Sequence, residues 1–285
     1  MFGIVADSLG LISDAGHNLT DVVALLISLF AVGLARRRPT SSRSFGWHRG
    51  TILAAQVNSA MILLLTVWIT YESIERLLDP PAVQGGIVVV VALVAFVANA
   101  FGAVAVHEGG HGNDPNMRSA LLHLVGDALA SLGVAVAGVV MVVTDGSFWL
   151  DPLVSLLIGV SIAWHALKLL RASTAVLLEG SPEGLDVDDL ARAMAAVDGV
   201  DAIHDLHVWS LSSELRALSA HIVVSGHPSL EEAQRVGARV KHAIAEPFSI
   251  AHSTLELECE TCEDDGPGCG MGQLDLAAAP HLHQH

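Results

Sequence analysis

The chain has 285 residues, 52% of them hydrophobic and 15% charged, with a mean hydropathy of +0.55 and a formal net charge of −16. Soluble domains carry about 25% charged residues, so this composition excludes a wholly water-soluble protein and calls for a lipid environment. The acidic balance argues against nucleic acid as a partner, because phosphate binding needs clustered Lys and Arg, and is compatible with cations.

The first segment, "MFGIVADSLGLI", would form a helix of about 18 Å, short of the ~30 Å hydrocarbon core, and reads as the remnant of a first membrane helix that is otherwise missing. It lacks the basic start of a secretory signal and contains Asp7. Five apolar runs follow that can span a bilayer: 19–35, extended back through "SDAGHN", then 51–71, 86–106, 121–143 and 153–170. The loop "ARRRPTSSRSFGWHR" at 35–49 is the only dense Arg cluster, which places it on the cytoplasmic side of the cell (inner) membrane. Alternation then puts 107–118 and everything after 171 in the cytoplasm, with "LLDPPAVQGG" and "TDGSFWLDP" outside. Asp14 and Asp151 stand where N-caps of helices are expected.

From Glu179 the texture changes. Residues 1–178 hold 9 Lys+Arg against 11 Asp+Glu, whereas 179–285 hold 5 against 19, so the second part is a water-exposed, acidic unit. "SPEGLDVDDLARAMAAV" has helical period with acids in its first turn. "DAIHDLHVWSL" and "LRALSAHIVVS" alternate as strands, "SLEEAQRVGARVKHAIAE" is helical again, and "SIAHSTLELECE" alternates. The order αββαβ predicts an α+β domain over 179–260, two helices on one face of a small antiparallel sheet, followed by an acidic, flexible Cys- and His-containing tail over 261–285. About 80 residues suffice for a core, particularly in a dimer. All 3 cysteines fall within 259–269, as ligands or free thiols rather than a disulfide framework.

The chemistry starts from "SDAGHNLTD". His17 and Asp21 are four residues apart, and "LLHLVGDALAS" repeats that spacing with His123 and Asp127 in the middle of another span. Residues four apart share a helix face, so two facing pairs can offer two imidazoles and two carboxylates, the donor set of tetrahedral Zn²⁺. Each His could instead hydrogen-bond only its own Asp, or His17 could lie at a watery helix end. An ionisable residue at mid-bilayer costs at least ~2.5 kcal/mol, and the repeat weighs for the metal reading. Imidazole and carboxylate hold Zn²⁺ without thiolates and take protons when the metal leaves, which suits transport better than storage.

The motifs "SLGLISDAGHNLTD", "FGWHR", "ERLLDPP", "HLVGDALAS", "DPLVSLLIG", "LLEGSP" and "IHDLHVWSLSSELRALSAHIVV" together resemble the cation diffusion facilitator family, in its zinc-transporting branch. The resemblance runs from about residue 5 to 260. It implies a homodimeric transporter of six membrane helices, here five plus the remnant, with a cytoplasmic ferredoxin-like domain, exchanging cytoplasmic Zn²⁺ for protons. It carries the transport site onto His17, Asp21, His123 and Asp127, and two His argue for Zn²⁺, with Cd²⁺ or Co²⁺ as further substrates. It also implies a regulatory zinc site at His204, His221 and Glu258, to which the pair Cys259 and Cys262 can add thiolates. On spacing alone, His204 and His207 should face opposite sides of a strand. The family's long His-rich loop is reduced to His107 and His111.

Two other classes remain in view. An intramembrane zinc hydrolase would need a His-Glu-x-x-His helix and an open water position, and the sequence has no such motif, so the chain is not expected to be an enzyme. A membrane-tethered metal sensor would use the same ligands and change conformation without flux.

Overall fold

The structure, a computed structural model, describes residues 2–109, 115–213 and 215–260. His111, Cys262, Cys269 and the tail lie outside the described residues. The chain forms two compact units, the first from residues up to 30 together with 54–171, the second from 31–53 and from 172 onward.

The membrane part is built from a short helix α1 (Phe2–Ala6) and five long ones: α2 (Leu9–Ala35), α3 (Arg49–Leu78), α4 (Gly85–Gly109), α5 (Pro115–Thr144) and α6 (Leu150–Leu177). All five long helices are long and apolar enough to cross a membrane. Large apolar side chains such as Leu25, Leu29, Phe30, Val94 and Phe101 point outward. In water such a surface would aggregate; against lipid it is the favourable face.

The N-terminal segment expected to be one helix end is divided. Asp7 adopts a positive φ of 53° and breaks α1 from α2, so Leu9–Ile12 opens α2 instead. Arg76 secures the break, its Nη1 donating to the Asp7 carbonyl and to Oδ1, both at 2.9 Å. Gln84 donates its backbone N–H to the Ala6 carbonyl and its side chain to that of Val5, satisfying the end of α1.

Asp151 caps a helix other than its own. From the first turn of α6 its buried carboxylate accepts from the Ser8 hydroxyl at 2.5 Å, the Leu9 N–H at 2.6 Å and the Gly10 N–H at 3.2 Å. Two orphan N–H donors at the start of α2, and the Ser8 hydroxyl before it, are thereby satisfied. A Cβ on Gly10 would stand 3.1 Å from Asp151 Oδ1, so the approach needs a residue without one. Asp14, expected at a helix start, lies inside α2, six residues from Asp151's contact with Ser8. Helices α4 and α5 pack backbone to backbone where Gly138 meets Val88 and Val89, and Gly85 meets Val142.

The second unit contains α7 (Val187–Ala195), β1 (Val200–Ser210), β2 (Arg216–Val224), α8 (Leu230–Ala245) and β3 (Ile250–Glu258). The order αββαβ is as expected, but the sheet is mixed: β2 pairs antiparallel with β1 and parallel with β3. The reason is α8, which carries the chain across from β2 and returns it in the same direction, as a βαβ connection must. Asp186 caps α7 and a Ser229–Glu232 capping box starts α8. Hydrogen bonds from the Ser229 hydroxyl and N–H hold the Glu232 carboxyl below its ordinary range. Leu190 and Met194 of α7 and Val236, Val240 and Ile244 of α8 pack on Val208, Leu218, Ala220, Ile222 and Val224 of the sheet. Its other face is mixed, with Ser219 and His221 of β2 standing between the buried Ala217 and Val223.

Candidate metal centres

Apolar spans made α2 and α5 helices, and the i, i+4 spacing then set each His over its Asp. Across the two helices these pairs form an alternating ring. His17 Nε2 is 3.6 Å from Asp21 Oδ2 and 3.4 Å from Asp127 Oδ1, while His123 Nε2 is 3.3 Å from Asp21 Oδ2 and 3.5 Å from Asp127 Oδ2. One donor atom from each residue falls within 4.8 Å of all the others. The imidazoles meet edge to face with centroids 5.7 Å apart.

These separations exceed hydrogen-bond lengths of 2.7–3.2 Å. With Zn–N and Zn–O bonds of about 2.0–2.1 Å, neighbouring donors of a tetrahedron stand about 3.3–3.4 Å apart. Three edges of one such set, from His17 Nε2 to Asp21 Oδ2 and Asp127 Oδ1 and from His123 Nε2 to Asp21 Oδ2, run from 3.3 to 3.6 Å, close to that value. Asp21 is near the middle of α2, with about 18 Å of helix before it and about 21 Å after it. The Asp127 side chain is 12% exposed and that of His123 is 50%, so the ring is reachable from one side.

Around the ring the supporting contacts are sparse. Ser131 donates to Asp14 Oδ1 at 3.4 Å one turn before His17, and Thr20 turns back onto the Gly16 and His17 carbonyls. The buried Nδ1 of His17 has no hydrogen-bond partner among the described residues. Tightly held metal-ligating imidazoles donate that second nitrogen to a carboxylate or carbonyl. The His17 ring is without that support among the described residues.

The second group is in the sheet. His204 of β1 pairs with His221 of β2, and Glu258 lies on the adjacent strand β3, opposite Val223. His204 Nε2 meets Glu258 Oε2 at 2.8 Å, and His221 Nδ1 meets Oε1 at 2.8 Å. The latter contact lacks hydrogen-bond geometry, as when two lone pairs aim at a shared centre rather than at each other. The three donors fall within 4.8 Å of one another.

Cys259 is exposed and is not part of that group. It follows Glu258 directly, and successive residues of an extended chain point to opposite faces.

The alternation expected for His204 and His207 does not hold, because β1 carries a bulge between them, with Asp205 at φ 49°. Ile203 packs on the core before the bulge and Val208 after it, so both His fall on the face away from the core. Asp205 thereby bridges His207 Nε2, at 2.9 Å, and His221 Nε2, at 3.6 Å. Sequence reasoning missed this residue; its only signal was the "HDLH" run on an otherwise alternating strand.

The family model described as the cation efflux transmembrane domain matches residues 1–178, and that of the cation efflux protein cytoplasmic domain matches 182–260. The chain belongs to the cation efflux family. Its relatives include a cadmium, cobalt and zinc/H⁺-K⁺ antiporter of Bacillus subtilis, 35% identical over 99% of this chain and 90% of the relative. The zinc transporter ZitB of Escherichia coli is 35% identical over 99% of this chain and 88% of its own length. The metal cation efflux system protein CzcD of Cupriavidus metallidurans is 35% identical over 92% and 81% respectively. The matched family domains meet where the sequence changes from apolar spans to the acidic α+β unit. Among the described residues of this cation efflux chain, the two donor clusters thus lie inside matched domains, one in each.

Proposed function

We propose that this chain exports Zn²⁺ from the cytoplasm in exchange for protons, with Cd²⁺ and Co²⁺ as further substrates, and that His17, Asp21, His123 and Asp127 form the transport site. The observation that carries the reading is the ring of two imidazoles and two carboxylates, with donor atoms within 4.8 Å of one another, inside two membrane-length helices. The printed names of the relatives, which are antiporters and transporters of zinc, cadmium and cobalt, support the choice of metals.

Zn²⁺ is the cargo. It binds when all four side chains are deprotonated, and protons arriving from the other side of the membrane occupy the same atoms and release it. The helices α2 and α5 each contribute one His–Asp pair, so a relative movement of the two opens the ring without breaking either pair. Four protein ligands complete the tetrahedron and leave no position for a catalytic water, which supports a carrier rather than a hydrolase.

In this reading the protein is a homodimer in the cell (inner) membrane, with its C-terminal domain in the cytoplasm, where the Arg-rich 35–49 loop also lies. His204, His221 and Glu258 bind regulatory zinc.

The test is zinc flux in proteoliposomes reconstituted with this chain and loaded with a zinc-responsive dye. Uptake that an imposed proton gradient accelerates, and that collapses without one, is expected. Uptake indifferent to the gradient would overturn proton exchange. Zinc-dependent conformational change without any flux would replace the transporter by a membrane-tethered sensor.

A further inference from the structure

Residues 22–71 contain five arginines and no carboxylate, in a chain of net charge −16 that has only 14 Lys+Arg in total. All five fall within residues 36–49, between α2 and α3. Because both flanking helices are long and apolar enough to cross a bilayer, their connection is held at the level of lipid headgroups.

The local structure presents these cations outward. Arg36, Arg37, Arg38 and Arg43 are exposed and make no ion pair among the described residues, whereas Arg49 pairs with Glu179 at 2.7 Å. Thr40 and Arg43 exchange backbone hydrogen bonds of 3.1 and 3.0 Å, closing a turn with Ser41 and Ser42 at its tip. The Arg43 guanidinium lies 3.6 Å from the centroid of the Trp47 ring. Stacking fixes the guanidinium plane and leaves its in-plane N–H donors directed away from the ring, in the fork geometry that fits a phosphate.

On one side the loop borders a cavity of about 840 Å³, where Phe45, Trp47 and His48 face Glu179, Val208 and Trp209; the exposed Arg36, Arg37 and Arg38 do not line it and stay open to headgroups. Phe45, 47% exposed, meets the His252 ring edge to face at 5.7 Å, which holds the loop's tip in place beside the cation.

We propose that residues 36–49 form a binding surface for anionic phospholipid, with Arg43, braced on Trp47, taking the headgroup phosphate and Arg36, Arg37 and Arg38 providing the surrounding positive field. A lipid rather than a free anion fits because the loop is tethered at the membrane surface on both sides and displays an aromatic residue among its cations. Juxtamembrane cations attract anionic headgroups over roughly a Debye length. The loop is the one part of this acidic chain with the charge to do so, and it would hold the protein against a leaflet that repels the acidic remainder.

The test uses the full chain in vesicles of phosphatidylcholine and phosphatidylglycerol, with either lipid brominated to quench tryptophan. Subtracting the signal of W47F isolates Trp47. Brominated phosphatidylglycerol should quench Trp47 about fivefold more effectively than brominated phosphatidylcholine at equal mole fraction. R43Q should lower that preference, and R36Q/R37Q/R38Q/R43Q should bring it to parity. Raising ionic strength from about 0.05 M to about 0.5 M should weaken it in the unaltered chain, a reading that needs no variant to fold. Equal quenching by the two lipids, or a preference untouched by both salt and the fourfold substitution, would overturn the proposal. A preference abolished by millimolar inorganic phosphate would assign the site to a free anion instead and sink the lipid assignment.

Discussion

His17 Nε2 stands 3.4 Å from Asp127 Oδ1, although the two residues lie on different helices and 110 positions apart. That contact, with its counterpart between His123 and Asp21 at 3.3 Å, joins two local His–Asp pairs into one donor set. Removing any member leaves three ligands and opens the ring. D127A and H17A should each reduce zinc flux in proteoliposomes by more than about 100-fold, more than the 10–100-fold typical of losing an outer-shell partner. Monodisperse elution and unchanged helical circular dichroism would verify the fold. Near-normal flux in folded D127A would remove these residues from the transport site.

In the proposed transport site the donor types would also set selectivity. Replacing His123 by Asp converts two nitrogen and two oxygen donors into one and three, a set that favours harder cations. H123D should therefore lower the ratio of Zn²⁺ to Mn²⁺ transport by at least about tenfold. Competition between the two ions in the same vesicles measures it directly. An unchanged ratio would mean that selectivity is decided elsewhere along the path.

Proton competition gives the pH dependence its sign. Metal binds only the deprotonated side chains, so lowering pH on the binding side weakens apparent zinc affinity, by up to about tenfold per unit for each proton displaced. Lowering pH on the release side does the opposite to the overall rate, because protons there clear the ring. Measured with independent control of the two pH values, the apparent KM should rise with acidification of the uptake side. A KM flat between about pH 8 and pH 6 would exclude shared sites for metal and proton.

The five membrane helices were legible because hydrocarbon imposes one simple requirement, a long run of apolar residues, and 51–71 or 86–106 meet it without ambiguity. The His–Asp pairs were legible because a helix turns spacing into a shared face. What depended on distant partners was not. The parallel pairing of β3 follows from where α8 returns the chain, and Asp151 caps α2 rather than α6 because Ser8, Leu9 and Gly10 come to it from 141–143 residues away. The bulge at Asp205 adds residues to one strand and so inverts every side chain beyond it, a change that an alternating pattern conceals.

That bulge places Asp205 beside the sheet cluster, where it is expected to act as a positioning residue. His221 turns Nδ1 toward Glu258, and its Nε2 stands 3.6 Å from Asp205 and 3.5 Å from Glu256, close enough for a carboxylate to orient the ring if it ligates metal as proposed. In a D127A background, which silences the membrane ring, D205A should weaken zinc binding measured by calorimetry about 10–100-fold. E258A should abolish the same binding event. If D205A binds as tightly as its parent while E258A does not, the Asp205 contact is incidental; if neither matters, the cluster is not a metal site.

Asp151 offers a stability test independent of metal. Its carboxylate satisfies three donors at the buried start of α2, and each buried donor left without an acceptor costs about 1–3 kcal/mol. Asn retains one acceptor oxygen and Ala none, so thermal stability of the purified protein should fall in the order unaltered, D151N, D151A. Gly10→Ala should destabilise through the same joint, because its new Cβ would press within 3.1 Å of Asp151 Oδ1 and 3.4 Å of Val134. Since the fault in that variant is crowding against the carboxylate, trimming the carboxylate relieves it. The double variant G10A/D151A should accordingly lose less stability than the two single losses added together, and strict additivity would show that Gly10 and Asp151 do not act through one contact.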